Sequence, residues 1–420
     1  MSRILQALWS GGGNVSPQLL IAKALAGRGH EVRVLASSSL RERVERTGAT
    51  FVPYRRAPEV DMADPETDPI RDWEARTPLG AFARGRDGLI CGPAAGFAAD
   101  VHAELGARPA DVVAFDFMLL GAAVGAEAAA VPSAALVHTV YPLPVPGAPP
   151  FGLGLSPMRG PFGVVRDAVV GRVNMRIWRP GLAAVNEART GLGLRPIDHP
   201  FEQITSVERI LVLTAPELDF ASRGRLPPTV RYTGPVLDRD GGQGWDSPWP
   251  ADDPRPLVVA SFSSTFQDQA TLAGRVLWAL GELPVRGLLT TGPALELDDA
   301  AVPDNVVVRS WAPHAAVLPQ ADLVVTHAGL GTIHAALAAG VPAVCIPHGR
   351  DQDDNAARVV AAGAGLRISR RASRERIRAT VETALADESL PEGARRLRDA
   401  FANNDGAENA VAEIEALAGS

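Results

Sequence analysis

One stretch in the C-terminal half has residue types and spacing that suit phosphate binding. An apolar segment at 323–325 precedes His327, and Gly329 and Gly331 follow before Thr332 and a run of small residues. A strand that passes through a glycine turn into a helix presents backbone N–H groups and a positive dipole end to an anion. The imidazole can add a further hydrogen-bond donor, so this segment predicts a phosphate site.

An acidic-amide pair lies near the end of the same stretch. Asp351 and Gln352 follow 24 residues after His327 and come after a second apolar strand. A carboxylate repels phosphate but accepts hydrogen bonds from hydroxyl groups. Together with the phosphate site, the pair favours a sugar diphosphate over a plain nucleotide.

Two further groups follow neighbouring predicted strands. Trp311 begins the run Trp311-Ala312-Pro313-His314, and an aromatic ring at a strand end can stack on a nucleobase. Ser263 and Ser264 follow the first strand of this half and offer hydroxyl groups to the same phosphates. An ordinary polar turn explains these serines equally well.

The elements that position these residues alternate between strand and helix. In the N-terminal half, strands are expected at 4–8, 32–35, 50–54, 112–115 and 133–137. In the C-terminal half they are expected at 257–261, 287–291, 306–310, 323–326, 343–347 and 365–368. Such alternation predicts an α/β fold of two doubly wound, Rossmann-like domains that face each other across a cleft.

The composition suggests where the domains divide. Residues 1–235 form the predicted N-terminal domain and 257–403 the C-terminal domain, with a Gly-, Pro- and Asp-rich linker at 236–256. The last helix, at 404–420, could cross back to the N-terminal domain. Residues 141–163 are rich in Pro and Gly, and are expected to form an irregular loop that lines an apolar groove.

The overall composition excludes several classes of protein. The chain has 420 residues, 46% of them hydrophobic, and a net charge of −7, which is unsuited to nucleic-acid binding. Cys91 and Cys345 stand in apolar surroundings typical of reduced core thiols, no signal peptide precedes the first strand, and no apolar run reaches the roughly 18 residues of a membrane span. A cytoplasmic protein without stable membrane insertion is expected. The oligomeric state is left open, a homodimer included.

The run WAPH…THAGLGTIHAALAAGVPAVCIPHGRDQ resembles the donor signature of family 1 glycosyltransferases, which have the GT-B fold and use nucleotide sugars. The resemblance is strongest over 306–355 and is closest to the bacterial enzymes that modify antibiotics and other natural products. It implies that Trp311 and the Ala312 backbone bind the nucleobase of the nucleotide sugar. It also implies that the diphosphate is held by His327, Gly331 and Thr332, and the sugar hydroxyls by Asp351 and Gln352.

Two positions of the donor signature depart from the family pattern. His314 replaces a glutamine that often follows the Trp-Ala-Pro run, and Ala335 replaces the glutamate that binds ribose in the plant enzymes. The residues that would bind ribose are therefore left open.

The N-terminal half departs from the family at the catalytic base. Where the family has a histidine after the first glycine turn, this chain has Asn14, whose amide cannot take a proton. The acidic partner of that histidine corresponds to Asp116. Three explanations remain for an active enzyme: Asp116 is the base, with Asn14 orienting the acceptor; His138 substitutes; or the acceptor is acidic enough to need little help. The first is the preferred hypothesis. Loss of catalysis is a fourth reading.

The resemblance implies an inverting, metal-independent hexosyltransferase that moves a sugar from a UDP- or TDP-sugar to a hydrophobic natural-product acceptor, with no cofactor beyond the nucleotide sugar. The metal-binding spelling Asp-x-Asp at 238–240 lies in the linker and not at a strand end, and is interpreted as solvated charge. The alternatives are a non-catalytic glycosyltransferase-like auxiliary protein and a nucleotide-sugar epimerase of the same fold. An NAD-dependent oxidoreductase is disfavoured because Ser16 stands where the third glycine of its turn would be.

Overall fold

A computed structural model describes residues 1–238, 245–295, 297 and 302–419. Within these residues the chain forms two parallel β-sheets with helices on both faces. The first sheet has the strand order β3-β2-β1-β4-β5-β6-β7, and the second has the order β10-β9-β8-β11-β12-β13. Both orders reverse direction beside the first strand of the sheet, as in doubly wound folds.

The N-terminal sheet contains strands β1 (Arg3–Ala7), β2 (Glu31–Ala36), β3 (Thr50–Pro53), β4 (Val112–Asp116), β5 (Ser133–Val137), β6 (Arg209–Val212) and β7 (Val230–Tyr232). The C-terminal sheet contains strands β8 (Leu257–Ser261), β9 (Arg286–Thr290), β10 (Val306–Arg309), β11 (Leu323–Thr326), β12 (Ala343–Cys345) and β13 (Gly365–Arg367). The strands β4, β5, β8, β11 and β12 are buried along their whole length, which is why they lack the alternation of half-exposed strands.

The helices that accompany the N-terminal sheet are α1 (Val15–Gly27), α2 (Arg41–Glu45), α3 (Pro78–Gly85), α4 (Ala94–Ala107), α5 (Leu120–Ala128), α6 (Pro161–Trp178), α7 (Leu182–Gly191) and α8 (Glu202–Thr205). Those that follow are α9 (Ala270–Gly281), α10 (His314–Val317), α11 (Leu330–Ala338), α12 (Gln352–Ala361), α13 (Arg374–Ala386), α14 (Ser389–Ala402) and α15 (Gly406–Ala418).

The last helix packs against the N-terminal sheet. Ile414 and Leu417 of α15 share a buried apolar cluster with Ile21 and Leu25 of α1. Arg28, after α1, forms ion pairs with two glutamates of α15. Helix α15 therefore forms a second connection between the C-terminal and N-terminal domains, in addition to the linker.

Several local expectations were wrong. Helix α1 begins at Val15, with Asn14 as its N-cap, although the Ser16-Pro17 pair predicts a start at Pro17 with Ser16 as the cap. The expected loop at 141–163 ends earlier, because Pro161 occupies the first turn of α6. Strands β6 and β7 and helices α3, α4, α6 and α7 were not anticipated from the sequence.

The linker is described only in part. Trp245 and Trp249 pack against the core of the C-terminal domain, whereas Arg239 and Asp240 of the Asp-x-Asp spelling lie outside the described residues. None of the helices in the described ranges combines the length and apolar character that a bilayer crossing requires.

Candidate active site

Residues from both sheets line one cleft of about 2480 Å³ between the domains. The carboxyl ends of the strands in each sheet face this cleft, and ligands of doubly wound sheets bind there. On the N-terminal side, the residues after β1, β4 and β5 contribute Asn14, Phe117 and His138. The cleft therefore brings together segments that are more than a hundred residues apart in sequence.

Asp116 and His138 form a pair at adjacent strand ends. Asp116 is the last residue of β4 and pairs in register with Leu136, two residues before His138. Nδ1 of His138 lies 3.2 Å from Oδ2 of Asp116, outside the alignment of a conventional hydrogen bond. The Asp116 carboxylate is fully buried, whereas the His138 side chain is 15% exposed and lines the cleft.

Two amide side chains complete the surroundings of Asp116. Asn14 Nδ2 and Gln18 Nε2 donate hydrogen bonds of 2.8 and 2.6 Å to Oδ2 of Asp116. Asn14 Nδ2 also donates to the carbonyl oxygen of Trp9, so both acceptors of this nitrogen fix the orientation of the amide. Asn14 thus holds the carboxylate in place. Sequence reasoning missed Gln18, although it is one helical turn beyond Asn14 and is the kind of polar residue that is rarely buried without a role.

These contacts determine the charge state of the pair. Burial would raise the pKa of Asp116, but the neighbouring His138 and the hydrogen bond from Asn14 outweigh burial, so the pKa is lowered. Burial would likewise lower the pKa of His138, but the Asp116 carboxylate outweighs it and raises that pKa above its ordinary value. The imidazole is therefore a stronger base than a free histidine.

His327 lies across the cleft, directly after β11. Thr326 pairs in register with Ser261, so His327 lies close to the turn that follows β8. Burial lowers the pKa of His327 to about 4. The ring is neutral at physiological pH and can donate one hydrogen bond without carrying a charge.

The turn after His327 leaves space for the imidazole ring. A Cβ on Gly329 would lie 2.5 Å from Nε2 of His327, so any larger residue there would displace the imidazole. Gly329 is the N-cap of α11, which begins at Leu330, two residues before the Thr332 at which the glycine turn predicts its start. Gly331 and Thr332 lie in the first turn of α11 and line the cleft. Their amide groups and the helix dipole thus act beside His327.

The other predicted donor residues surround the same space. Trp311 is 70% exposed and lines the cleft, which leaves its ring free for stacking. Ala312 and His314 follow it, and burial lowers the pKa of His314. The Ser263 hydroxyl is within 2.9 Å of the Thr265 hydroxyl, whereas Ser264 is exposed and faces the first glycine turn of the N-terminal domain.

Asp351 and Gln352 begin helix α12. Oδ2 of Asp351 accepts hydrogen bonds from Asn355 Nδ2 and, across the cleft, from Thr139 Oγ1. Oε1 of Gln352 accepts from the backbone N–H groups of His348 and Gly349. Gln352 therefore holds the preceding loop, a role that sequence reasoning did not assign.

A further interdomain contact was also missed. The Arg350 guanidinium forms a two-pronged ion pair with Asp72, with Nε 2.8 Å from Oδ2, and donates to the Thr265 hydroxyl. No signal in either local sequence pairs an arginine with an aspartate 278 positions away. In the described part of the chain, no group of three or more His, Cys, Asp or Glu residues gathers in a way that could hold a metal ion.

Apolar and aromatic side chains of the N-terminal domain line the remainder of the cleft. Trp178 is central, with ring centroids 4.8 Å from Phe82 and 5.0 Å from Phe201. Phe117, Phe151 and Ile177 also line the cleft, and these six side chains are together called its aromatic wall. This wall is suited to a hydrophobic ligand.

Comparison with known proteins identifies the family. Residues 276–417 match the C-terminal domain of erythromycin biosynthesis protein CIII-like proteins. The chain is 33% identical over 99% of its length to 4'-demethylrebeccamycin synthase of Lentzea aerocolonigenes, and covers 99% of that protein. It is also 38% identical to oleandomycin glycosyltransferase of Streptomyces antibioticus, over 38% of this chain and 37% of that enzyme.

Solved structures agree on the fold. The kitacinnamycin glycosyltransferase superposes with a TM-score of 0.78 at 24% identity, covering 99% of this chain and 98% of its own. The calicheamicin glycosyltransferase CalG4 gives 0.75 at 22% identity, covering 100% and 98%. The chain therefore belongs to the GT-B glycosyltransferases of antibiotic and other natural-product biosynthesis.

Proposed function

We propose that this glycosyltransferase transfers a sugar, with inversion, from a UDP- or TDP-sugar to a hydrophobic natural-product acceptor, with His138 as the general base. The observation that carries this proposal is the Asp116–His138 pair beside the contact between Thr139 and Asp351. It brings a histidine of raised pKa next to the residue expected to bind the sugar.

His138 fits the role of base better than Asp116, which was the preferred hypothesis from the sequence. Asp116 has no exposed surface, and its carboxylate is occupied by Asn14, Gln18 and the Met118 N–H. A base must come within hydrogen-bond distance of the proton that it removes. His138 lines the cleft, where a bound acceptor can reach its ring, and we propose that Asp116 stabilises the imidazolium that forms.

The reaction then follows from this arrangement. The acceptor O–H, or N–H, gives its proton to Nε2 of His138 as its oxygen or nitrogen forms a bond to the anomeric carbon. The bond between that carbon and the phosphate oxygen breaks, and its electron pair leaves with the nucleoside diphosphate. Attack from the face opposite the leaving group inverts the anomeric configuration.

Groups on the donor side can stabilise the departing diphosphate. Neutral His327 can donate one hydrogen bond, and the N-terminal amides of α11 add a positive dipole end. These groups act without a metal ion, and we propose that the enzyme needs none. The exposed ring of Trp311 is proposed to stack on the base.

The choice of donor and acceptor is supported by the relatives and by the cleft. The structural neighbour VinC was crystallised with dTDP, and a 25% identical relative from Aspergillus versicolor is named a UDP-glucosyltransferase. The aromatic wall around Trp178 favours a hydrophobic acceptor.

Neither alternative from the sequence is favoured. The hypothesis of a non-catalytic auxiliary protein arose because Asn14 cannot act as a base. The Asp116–His138 pair offers another base and so weakens the case for that hypothesis. The epimerase hypothesis does not account for the aromatic wall, and two relatives named as glycosyltransferases match 95% and 99% of the chain.

The test is a donor-by-acceptor screen read by mass spectrometry, with UDP-glucose and TDP-glucose against phenolic acceptors including 4-methylumbelliferone. A product heavier than the acceptor by one hexose is expected, and its anomeric proton coupling should show the inverted configuration. If EDTA-treated enzyme loses turnover and regains it with a divalent cation, the metal-independent part of the proposal is wrong.

A further inference from the structure

The loop at 141–160 runs from the proposed acceptor site in the N-terminal domain to the donor-binding C-terminal domain. The reaction itself does not require this connection. Its residues Leu143 and Phe151 line the apolar wall of the cleft. Its tip, at 152–154, leaves the N-terminal domain and contacts helix α12 and strand β13 of the C-terminal domain.

The first contact is a buried carboxylate. The Gly152 N–H donates a hydrogen bond of 2.8 Å to Oδ2 of Asp354, a side chain on α12 that is only 2% exposed. Arg358 lies 3.6 Å from the other oxygen of Asp354 and also pairs with Asp219 of the N-terminal domain. A charge-assisted hydrogen bond of this kind is stronger than a bond between neutral groups.

The second contact depends on Gly154. Its φ of +58° is in the left-handed region, and a Cβ there would lie 2.6 Å from the backbone oxygen of Asp353. Arg367 donates a bond of 3.1 Å to the Gly154 carbonyl oxygen and pairs with the Asp353 carboxylate. The loop tip thus lies flush against α12.

These contacts fix Phe151 from two sides. On the N-terminal side, Asn174 of α6 donates to the Phe151 carbonyl oxygen, at 3.1 Å. On the C-terminal side, the next residue, Gly152, is held by Asp354. Asp351, expected to bind the sugar, is the N-cap of the helix that carries Asp354.

We infer that Asp354 is a positioning residue that holds the acceptor-binding loop against the donor-binding helix, so that Phe151 is set for the acceptor only when the domains are closed. The inference rests on the proposed function only in assigning Phe151 to the acceptor site. The clasp itself, defined as the contacts of Gly152 and Gly154 with Asp353, Asp354 and Arg367, is a property of the fold.

The test uses Asp354→Asn and Gly154→Ala in the full-length enzyme. Gly147→Ala is the matched control, because Gly147 is in the same loop, also has positive φ (+87°), and has no atom within 4 Å of its added Cβ. With 4-methylumbelliferone as acceptor, both test variants are expected to raise the acceptor KM roughly tenfold, with kcat changed about twofold or less. The Kd for UDP or TDP should stay at the wild-type value.

Hydrogen–deuterium exchange of the peptide at 148–156 gives a readout that does not depend on turnover. Exchange there should rise in Gly154→Ala relative to Gly147→Ala, and Gly154→Ala keeps the assay decisive if Asp354→Asn does not fold. Equal exchange and equal acceptor KM in Gly154→Ala and Gly147→Ala would overturn the inference. An increase in nucleotide Kd as large as that in acceptor KM would also overturn it. Failure of the wild-type enzyme to glycosylate any acceptor counts against the proposed function, while the exchange result still decides the clasp.

Discussion

Thr139 donates a hydrogen bond of 3.1 Å to Oδ2 of Asp351 across the interdomain cleft. Thr139 follows His138 directly, and Asp351 begins the helix that carries the remaining sugar-site residue, Gln352. The bond therefore sets the distance between the proposed base and the proposed sugar site whenever the cleft is closed.

Thr139→Val should test this relationship, because valine keeps the shape of threonine and removes the hydroxyl. We expect kcat/KM to fall about tenfold, because the bond to the Asp351 carboxylate is lost and the closed arrangement of the two domains is less populated. Thr139→Ser, which keeps the hydroxyl, should stay within about threefold of wild type. Steady-state kinetics with both variants measure the effect, and equal rates for Val and Ser would show that the bond has no part in turnover.

The Asp116–His138 pair predicts a pH dependence. His138 works as a base only when neutral, and its pKa is raised, so kcat/KM should rise with pH through a value above that of ordinary histidine. Asp116→Asn removes the carboxylate that raises this pKa. The rising limb should then move to lower pH, while the maximal rate falls on the order of a hundredfold because the imidazolium has lost its counter-ion.

His138→Ala is the companion variant, with an expected loss of roughly 10²–10⁴ in kcat/KM and little change in nucleotide binding. Complete pH–rate profiles of wild type and both variants provide the measurement. If Asp116→Asn leaves the profile unmoved, the two residues are not coupled. If His138→Ala retains wild-type turnover, another group or the acceptor itself supplies the base function.

The bounds of several strands could be predicted from the sequence, whereas the contacts between residues distant in sequence could not. Strands β5, β8 and β11 were predicted at their observed bounds, because buried parallel strands are short apolar runs bounded by polar turns. Asp116 and His138 were both recognised as candidates, but the hypothesis ranked the carboxylate first. Its burial depends on Asn14 and Gln18, which only the folded chain brings to it.

The missed features have a common physical origin. Helices α3 and α6 have no large side chain that is fully buried, and α6 also lacks the apolar periodicity by which a helix is recognised. The ion pair between Arg350 and Asp72 depends on how two domains meet. Local pattern carries no information on such a contact.

His327 and Gly329 yield a prediction for the donor side. Gly329→Ala would place a Cβ 2.5 Å from Nε2 of His327 and displace the ring, so it should weaken nucleotide diphosphate binding almost as much as His327→Ala does. About a tenfold rise in the Kd for UDP or TDP is expected for each. Gly274→Ala, a helix position in the same domain with no atom within 4 Å of its Cβ, is the control. Calorimetric titration measures all three, and wild-type affinity in both site variants would remove His327 from the phosphate site.

The ion pair between Arg350 and Asp72 should contribute to the stability of the closed arrangement. Its side chains are 22% and 15% exposed, so each charge depends on the other for much of its solvation. Replacing either residue by alanine is expected to lower the free energy of unfolding by about 2 kcal/mol, because the remaining charge stays partly buried and, for Arg350, only Asp68 at 3.8 Å is left to pair with it. The double variant should lose less than the sum of the two single variants, with a coupling energy of about 1 kcal/mol.

Urea denaturation of the wild type, the two single variants and the double variant measures this cycle. The pair Arg41–Glu45, 54% exposed on both sides, serves as a control that is expected to show almost no coupling. Additive losses for Arg350 and Asp72 would show that the two domains are held together by other contacts, such as the packing of Trp73 on Phe266.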